Sequence, residues 1–178
     1  MKAAERTTAA AYPRHLAGQV VADSAPLHWR GLYVRRYRFP RVVDSYLVPA
    51  TPEPLISCHL KGSAQFRERD VGQTWIVREV RERDLFVTRS KTPYEVGFRS
   101  PAGEQLEVIQ IHIAVDQFRA AVEEVHGNSA DKAEVVDFFG HDAALSDFCF
   151  ACAEMLDAKT AAKSKCIANL AKLLATYI

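Results

Sequence analysis

Two histidines, His59 and His112, fall on the most apolar β-patterned runs of this sequence, and a Cys149-x-x-Cys152 pair falls on a helical stripe. A protein-bound zinc, iron or manganese needs about three converging imidazoles, thiolates or carboxylates. Two histidines fall short of that, and each reads as a hydrogen-bonded core imidazole. Redox or zinc use of Cys-x-x-Cys places the pair in a loop or at a helix start, where a thiolate is exposed and stabilised. Here the two cysteines keep the spacing of core positions, so they read as small apolar residues. Asp137, His141 and Asp142 lie close in sequence with no nucleophile beside them. Neither a Gly-rich phosphate loop nor a Gly-x-Ser-x-Gly elbow occurs. The expectation is a chain with no catalytic residue, no metal and no cofactor.

Aromatic residues are the better candidates for a binding site. Trp29, Trp75, Phe86, Tyr94 and Phe98 fall in β-patterned segments, and His59, Tyr94 and His112 can supply the few polar groups that a mostly apolar pocket needs. These seven residues are the expected ligand-binding set.

The elements that must hold them are legible from period and punctuation. From Leu55 to Ile113 short β-branched and aromatic runs alternate with Gly, Pro, Asp or Ser, an all-β pattern. Tyr94, Val96 and Phe98 share one face, and Ile109, Ile111 and Ile113 alternate with Val108, Gln110 and His112. Asp70-Val71-Gly72 marks a hairpin tip. Upstream, Trp29–Phe39 and Val42–Val48 read as strands closed by Pro40 and Pro49. After Ile113 the period becomes 3.6. Asp116 caps a first helix with the stripe Phe118, Ala121, Val122 and Val125, ended by Gly127. Residues 128 to 132 read as a polar loop. A second helix from about Asp142 aligns Leu145, Phe148, Cys149, Cys152 and Leu156. A last helix from about Lys163 carries Ile167, Leu170, Ala171, Leu174, Tyr177 and Ile178, with Leu173 and Cys166 widening its apolar arc. That arc exceeds one contact surface. A homodimer through Ile167, Leu170, Leu174 and Tyr177, joined by Phe150, is therefore expected.

Residues 1–26, rich in Ala, Thr and Arg, read as a mobile arm, 27–115 as the β unit and 116–178 as a helical dimerisation segment of the same domain. Arginines 30, 35, 36, 38 and 41 read as a solvated face, and the mixed charges from Arg78 to Asp84 as an exposed turn and edge. At 178 residues, 48% hydrophobic and 25% charged, the chain fits one globular domain. A net charge of +1 argues against a surface devoted to nucleic acid. Four cysteines without scaffold spacing point to a reducing, cytoplasmic setting. No apolar run approaches a membrane span or a signal-peptide core, so no membrane partner is expected.

Laid out in order, the segments WRGLYVRRYRFP, LISCHLKG, VREVRERDLFVTRSKTPYEVGF, LEVIQIHIAVDQF, VVDFFGHDAALSDF and KCIANLAKLLATYI make this chain resemble the N-terminal sensor half of AraC-type transcriptional regulators. The resemblance covers about residues 29–178. It implies an α+β fold, a cupin-like antiparallel β-barrel of two sheets followed by a C-terminal helical hairpin. It also implies a dimerising, ligand-sensing domain with a small-molecule effector, and DNA contact only through a helix-turn-helix half not contained in these residues. Three departures stand out. Glu82-Arg83-Asp84 replaces a usual Pro-Gly-Asp turn. Arg89 to Tyr94 replaces a usual Pro-x-Gly-x-Pro-His, which asks Arg83 and Lys91 to take glycine backbones. Cupin enzymes hold a metal with His-x-His, a Glu and a later His. This chain lacks the His-x-His, and Tyr94 stands where the later His would fall. The other readings are a stand-alone metal-free binding module and a cupin enzyme.

Overall fold

A computed structural model of the protein describes residues 6–127, 134–158 and 164–178. The loop expected at 128–132, the first five residues of the arm and the start of the last helix at Lys163 lie outside them.

Among the described residues ten strands form two antiparallel sheets. They are β1 (Gln19–Asp23), β2 (Leu32–Phe39), β3 (Val42–Val48), β4 (Leu55–Lys61), β5 (Ala64–Asp70), β6 (Ile76–Val80), β7 (Asp84–Thr88), β8 (Tyr94–Arg99), β9 (Leu106–Ile113) and β10 (Phe138–His141). The large sheet runs β1-β2-β9-β4-β7-β10 and the small one β3-β8-β5-β6. The helices α1 (Val115–His126), α2 (Ala143–Asp157) and α3 (Ser164–Tyr177) cover the outer face of the large sheet. The architecture is the expected α+β double sheet, open at its edge strands rather than closed into a cylinder.

The central strand explains the layering. Because side chains alternate across a strand, β9 sends Leu106, Val108 and Gln110 between the sheets and Ile109, Ile111 and Ile113 toward the helices. Both faces are covered, so all six are buried, and each isoleucine contributes roughly 1.5–3 kcal/mol. β4 repeats the division, with Leu55, Ser57 and His59 inward and Ile56 and Cys58 toward α2.

The helices form where capping and stripe agree. Asp142 caps α2 by accepting from the Leu145 amide at 2.8 Å. Leu145, Cys149, Cys152 and Leu156 then lie buried against the sheet. Cys149 and Cys152 are thus core residues; burial pushes the Cys152 thiol up to about 12, and contact with Cys58 and burial raise Cys149 further. α1 begins two residues earlier than expected. Its N-cap is Ala114 rather than Asp116, which sits in the first turn, where its charge suits the helix dipole. α3 packs against α1, and Lys172 reaches Glu124 across them at 2.6 Å.

Several expectations change. The described part of the arm is docked against the strands rather than extended away from them. β1 pairs with β2, Tyr12 is buried, and Arg6, Thr7 and Ala9 are tied to Ala50 and Glu53. The arginine cluster is a solvated face only in part: Arg30, Arg38 and Arg41 are exposed, and Arg35 and Arg36 are not. Arg35 is buried, with Nε on Asp23 at 2.8 Å and a second nitrogen donating to the Ala9 carbonyl at 2.6 Å. Arg36 pairs with Asp157 and Arg38 with Glu107. The segment 116–178 is not all helical, because β10 joins the edge of the large sheet beside β7. Of the two residues asked to take glycine backbones, Arg83 does so, at φ 73°, and Lys91 does not. The left-handed cost at Arg83 is about 1–2 kcal/mol. It is offset by the Arg83 N–H donating to the His59 carbonyl and by a guanidinium that pairs with Asp147 and lies 4.9 Å over the Phe150 ring.

Candidate functional site: a cavity between the sheets

The two sheets enclose a cavity of about 360 Å³. Its apolar walls come from Phe39, Leu55, Leu106 and Val108 of the large sheet and its approaches, and from Val48, Val96 and Phe98 of the small sheet. Phe66, Phe86 and Phe139 stack in series at 4.8 and 4.7 Å along one end. Tyr12 and Leu16, from the docked N-terminal segment, close another side.

Polar groups are few and placed. Tyr12, Tyr46 and Tyr94 converge on the cavity, with Tyr12 and Tyr94 adjoining. Burial pushes the Tyr94 phenol up to about 12 and raises Tyr12 and Tyr46 as well, so all three remain O–H donors at neutral pH. The His59 ring approaches the Asp84 carbonyl through Nδ1 at 3.3 Å. A carbonyl only accepts, so Nδ1 carries the proton and Nε2 is the acceptor nitrogen. Burial holds this imidazole below its usual pKa, in the neutral form. Gln110 and Ser57 face each other across β9 and β4 on the same floor. Near the opening, Arg78 contacts Glu68 at 3.4 Å and stands 4.8 Å over the Phe139 ring. Burial raises the Glu68 carboxyl despite this guanidinium.

Four of the seven expected ligand residues, His59, Phe86, Tyr94 and Phe98, line this cavity. The other three do not. Trp29 lies in the second core, between the large sheet and the helices. Trp75 immediately precedes β6, whose inward residues are Ile76, Arg78 and Val80. It therefore falls on the outer face, under Arg67 and Arg69 at 4.7 and 4.3 Å. His112 shares the inward face of Gln110 but is sealed off by the Tyr12 ring, 4.8 Å away. The charged run at Arg78 is not merely an exposed edge, since that residue turns inward. Tyr12, Tyr46, Ser57 and Gln110 were missed. Gln110 carried a signal, being a polar residue at an inward position of a strand buried on both faces.

The expected dimer seam is also redistributed. Ile167 and Leu174 are 0% and 1% exposed within the chain's own core. Leu170 and Phe150 are half-buried against that core. Tyr177 is exposed, but its hydroxyl donates to the Asp142 carboxylate at 2.9 Å. The arc looked too wide because it serves the sheet and α1 together. Leu173 and Tyr177, with Val125 of α1, remain outside.

Among the described residues no group of three His, Cys, Asp or Glu is arranged to hold a metal ion. No helix among them is long and apolar enough to cross a membrane.

The class these features define is a cupin-like α+β double sheet with a helical layer on one face. No protein-family model matches the chain, and no curated protein matches it in sequence. The fold recurs in solved structures. Apo ToxT K231A from Vibrio cholerae strain SCE256 superimposes with a TM-score of 0.59 at 11% identity, over 83% of this chain and 54% of that one. ToxT from Vibrio cholerae O395 bound to (E)-4-(8-methylnaphthalen-1-yl)but-3-enoic acid gives 0.56 at 11% identity, over 83% and 55%. The AraC-like transcriptional activator CuxR gives 0.48 at 13% identity, over 84% and 52%. This chain thus spans about half the length of the ToxT chains it matches.

Proposed function

We propose that this chain is the effector-sensing domain of an AraC-type transcriptional regulator, with the cavity between the sheets as its binding site. The observation that carries the reading is that cavity: a mostly apolar chamber with a few fixed polar groups, the usual make-up of a small-molecule site. The fold shared with ToxT supports it, as does the order of the segments that resemble AraC-type sensor halves. A ToxT structure with a naphthyl-butenoic acid bound indicates the kind of molecule that a protein of this fold can take up. In the same reading DNA is contacted by a helix-turn-helix domain outside these residues. The chain pairs with a second copy through the outer face of α1 and α3, at Val125, Leu173 and Tyr177, and works in the cytoplasm without metal or catalysis.

A thermal-melt screen of small, largely apolar compounds tests the reading. A ligand at about a hundred times its Kd stabilises by about 2.7 kcal/mol. Val96→Trp, which fills the chamber, should abolish the shift, and Tyr94→Phe, which removes one hydroxyl, should weaken it. Hits that shift the filled variant as strongly as the wild type would place binding elsewhere. Stoichiometric iron, zinc or manganese in the purified protein would favour the cupin-enzyme alternative.

A further inference from the structure

The charges and orphaned polar atoms around the cavity restrict what it holds, an argument that rests on the small-molecule reading above. Gln110 is 7% exposed, lines the cavity, and its Oε1 has no hydrogen-bond partner among the described residues. A buried acceptor left unmatched costs about 1–3 kcal/mol. On the same floor His59 presents a second acceptor, Nε2, because Nδ1 is held by the Asp84 carbonyl. Ser57 lies between them, in register with Gln110 on the adjacent strand, with Cβ atoms roughly 4.5–5.5 Å apart. The large sheet thus offers two acceptors on one floor, diagonal to each other across β9 and β4, and the tyrosine hydroxyls offer donors.

Among the described residues the arginine that turns into the cavity, Arg78, is matched by Glu68 at 3.4 Å, while the Arg69 guanidinium lies on the outer face with Glu95, at 2.5 Å, and Trp75. Two further carboxylates, Asp70 and Asp137, stand at the rim, both exposed. A carboxylate ligand would lose its water without gaining a counter-charge, the costly case of ion burial. An ammonium ligand would find Glu68 already committed to Arg78 and the other two carboxylates exposed, where water screens them.

We infer that the cavity selects an uncharged effector, an apolar or aromatic body carrying a hydroxyl or amide, whose O–H or N–H donates to Gln110 Oε1. An amide fits both sides at once, since its carbonyl can accept from the tyrosine hydroxyls.

The test is a matched probe series titrated against the folded chain: 2-naphthamide, 2-naphthoate, 2-naphthylmethylammonium and 2-methylnaphthalene. The amide is expected to bind about tenfold tighter than methylnaphthalene, the worth of one neutral hydrogen bond, and tighter than either ion. Gln110→Leu should remove that advantage and leave methylnaphthalene unchanged. It matches the glutamine in size and removes an orphaned acceptor, so it should melt at or above the wild type, and Gln110→Met serves as the second variant. Naphthoate or the ammonium binding tightest would overturn the inference while leaving the sensing reading intact. So would an amide advantage that survives both Gln110 variants. Failure of all four probes, methylnaphthalene included, would count against the cavity as a small-molecule site and against the inference with it.

Discussion

Leu174→Glu is expected to unfold the helical layer rather than to separate two folded chains. Leu174 is 1% exposed and packs in the core that joins α3 to the large sheet, with Ile167 and Ala171 of its own helix beside it. Glutamate there loses the leucine's packing and buries a carboxylate without a partner. Each change alone costs several kcal/mol, so a combined loss of about 4 kcal/mol or more takes much of the 5–15 kcal/mol that holds a domain folded. Leu173 is the contrasting position, one residue away and 52% exposed. Leu173→Glu should leave the urea midpoint within about 0.5 kcal/mol of wild type, while weakening any pairing through the outer face of α1 and α3. Urea unfolding and sedimentation velocity on both variants separate the effects. A folded, monomeric Leu174→Glu would show that the helix faces a partner rather than its own sheet.

Acidification should destabilise the protein through His112. Its imidazole is enclosed, with the Tyr12 ring edge-on to it and Nε2 without a hydrogen-bond partner among the described residues. Burial, reinforced by the Arg35 charge, lowers its pKa from 6.5 to about 3. The stability this depressed value represents is fully present above the unfolded pKa of 6.5. It is lost as pH falls, because the unfolded chain takes up a proton that the folded chain refuses until about pH 3. At pH 5 the loss is about 2 kcal/mol, and across the whole window about 4–5 kcal/mol. His59, lowered by burial, acts in the same direction. Glu68, raised by burial, acts in the opposite one at lower pH. Melting temperatures of wild type and His112→Gln between pH 7.5 and 4.5 provide the measurement. The wild type should fall more steeply, and parallel curves would rule out His112 as the titrating group.

Both predictions depend on knowing which face of an element is inward, and that is where the sequence was most and least informative. Strand alternation from Tyr94 to Phe98 and from Val108 to Ile113 sorted residues onto faces that the structure keeps, because both strands are central and their neighbours impose one register. The cap at Asp142 was equally legible, being a local hydrogen bond. β1 and β10 were not. Gln19–Asp23 and Phe138–His141 are short edge strands, and each is held by pairing with a strand nearer the middle of the sheet, Leu32–Phe39 and Asp84–Thr88. Nothing in five or four residues announces such a partner. Trp75 misled through its size: counting back by twos from buried Val80 assigns it to the outer face, whatever its hydrophobicity. Tyr12 was invisible because its burial depends on Arg35 holding the Ala9 carbonyl, a long-range bond from a residue whose charge suggested solvent. The α3 arc misled for a related reason: a helix wedged between a sheet and another helix needs two apolar sides, and one sequence stripe cannot distinguish a neighbour in the same chain from a second copy.

The thiols give the fold a built-in reporter of its own opening. Cys58, Cys149 and Cys152 are wholly buried where β4 meets α2, while Cys166 on α3 is exposed. In native buffer a thiol reagent therefore meets Cys166 at once. The other three become accessible only when α2 lifts from the sheet. Their modification rate under native conditions counts those events directly, residue by residue in a mass spectrum, with no label introduced. Set beside a global unfolding measurement, it would tell whether the helical layer detaches alone, with the cavity still shut between its two sheets, or only when the whole domain comes apart.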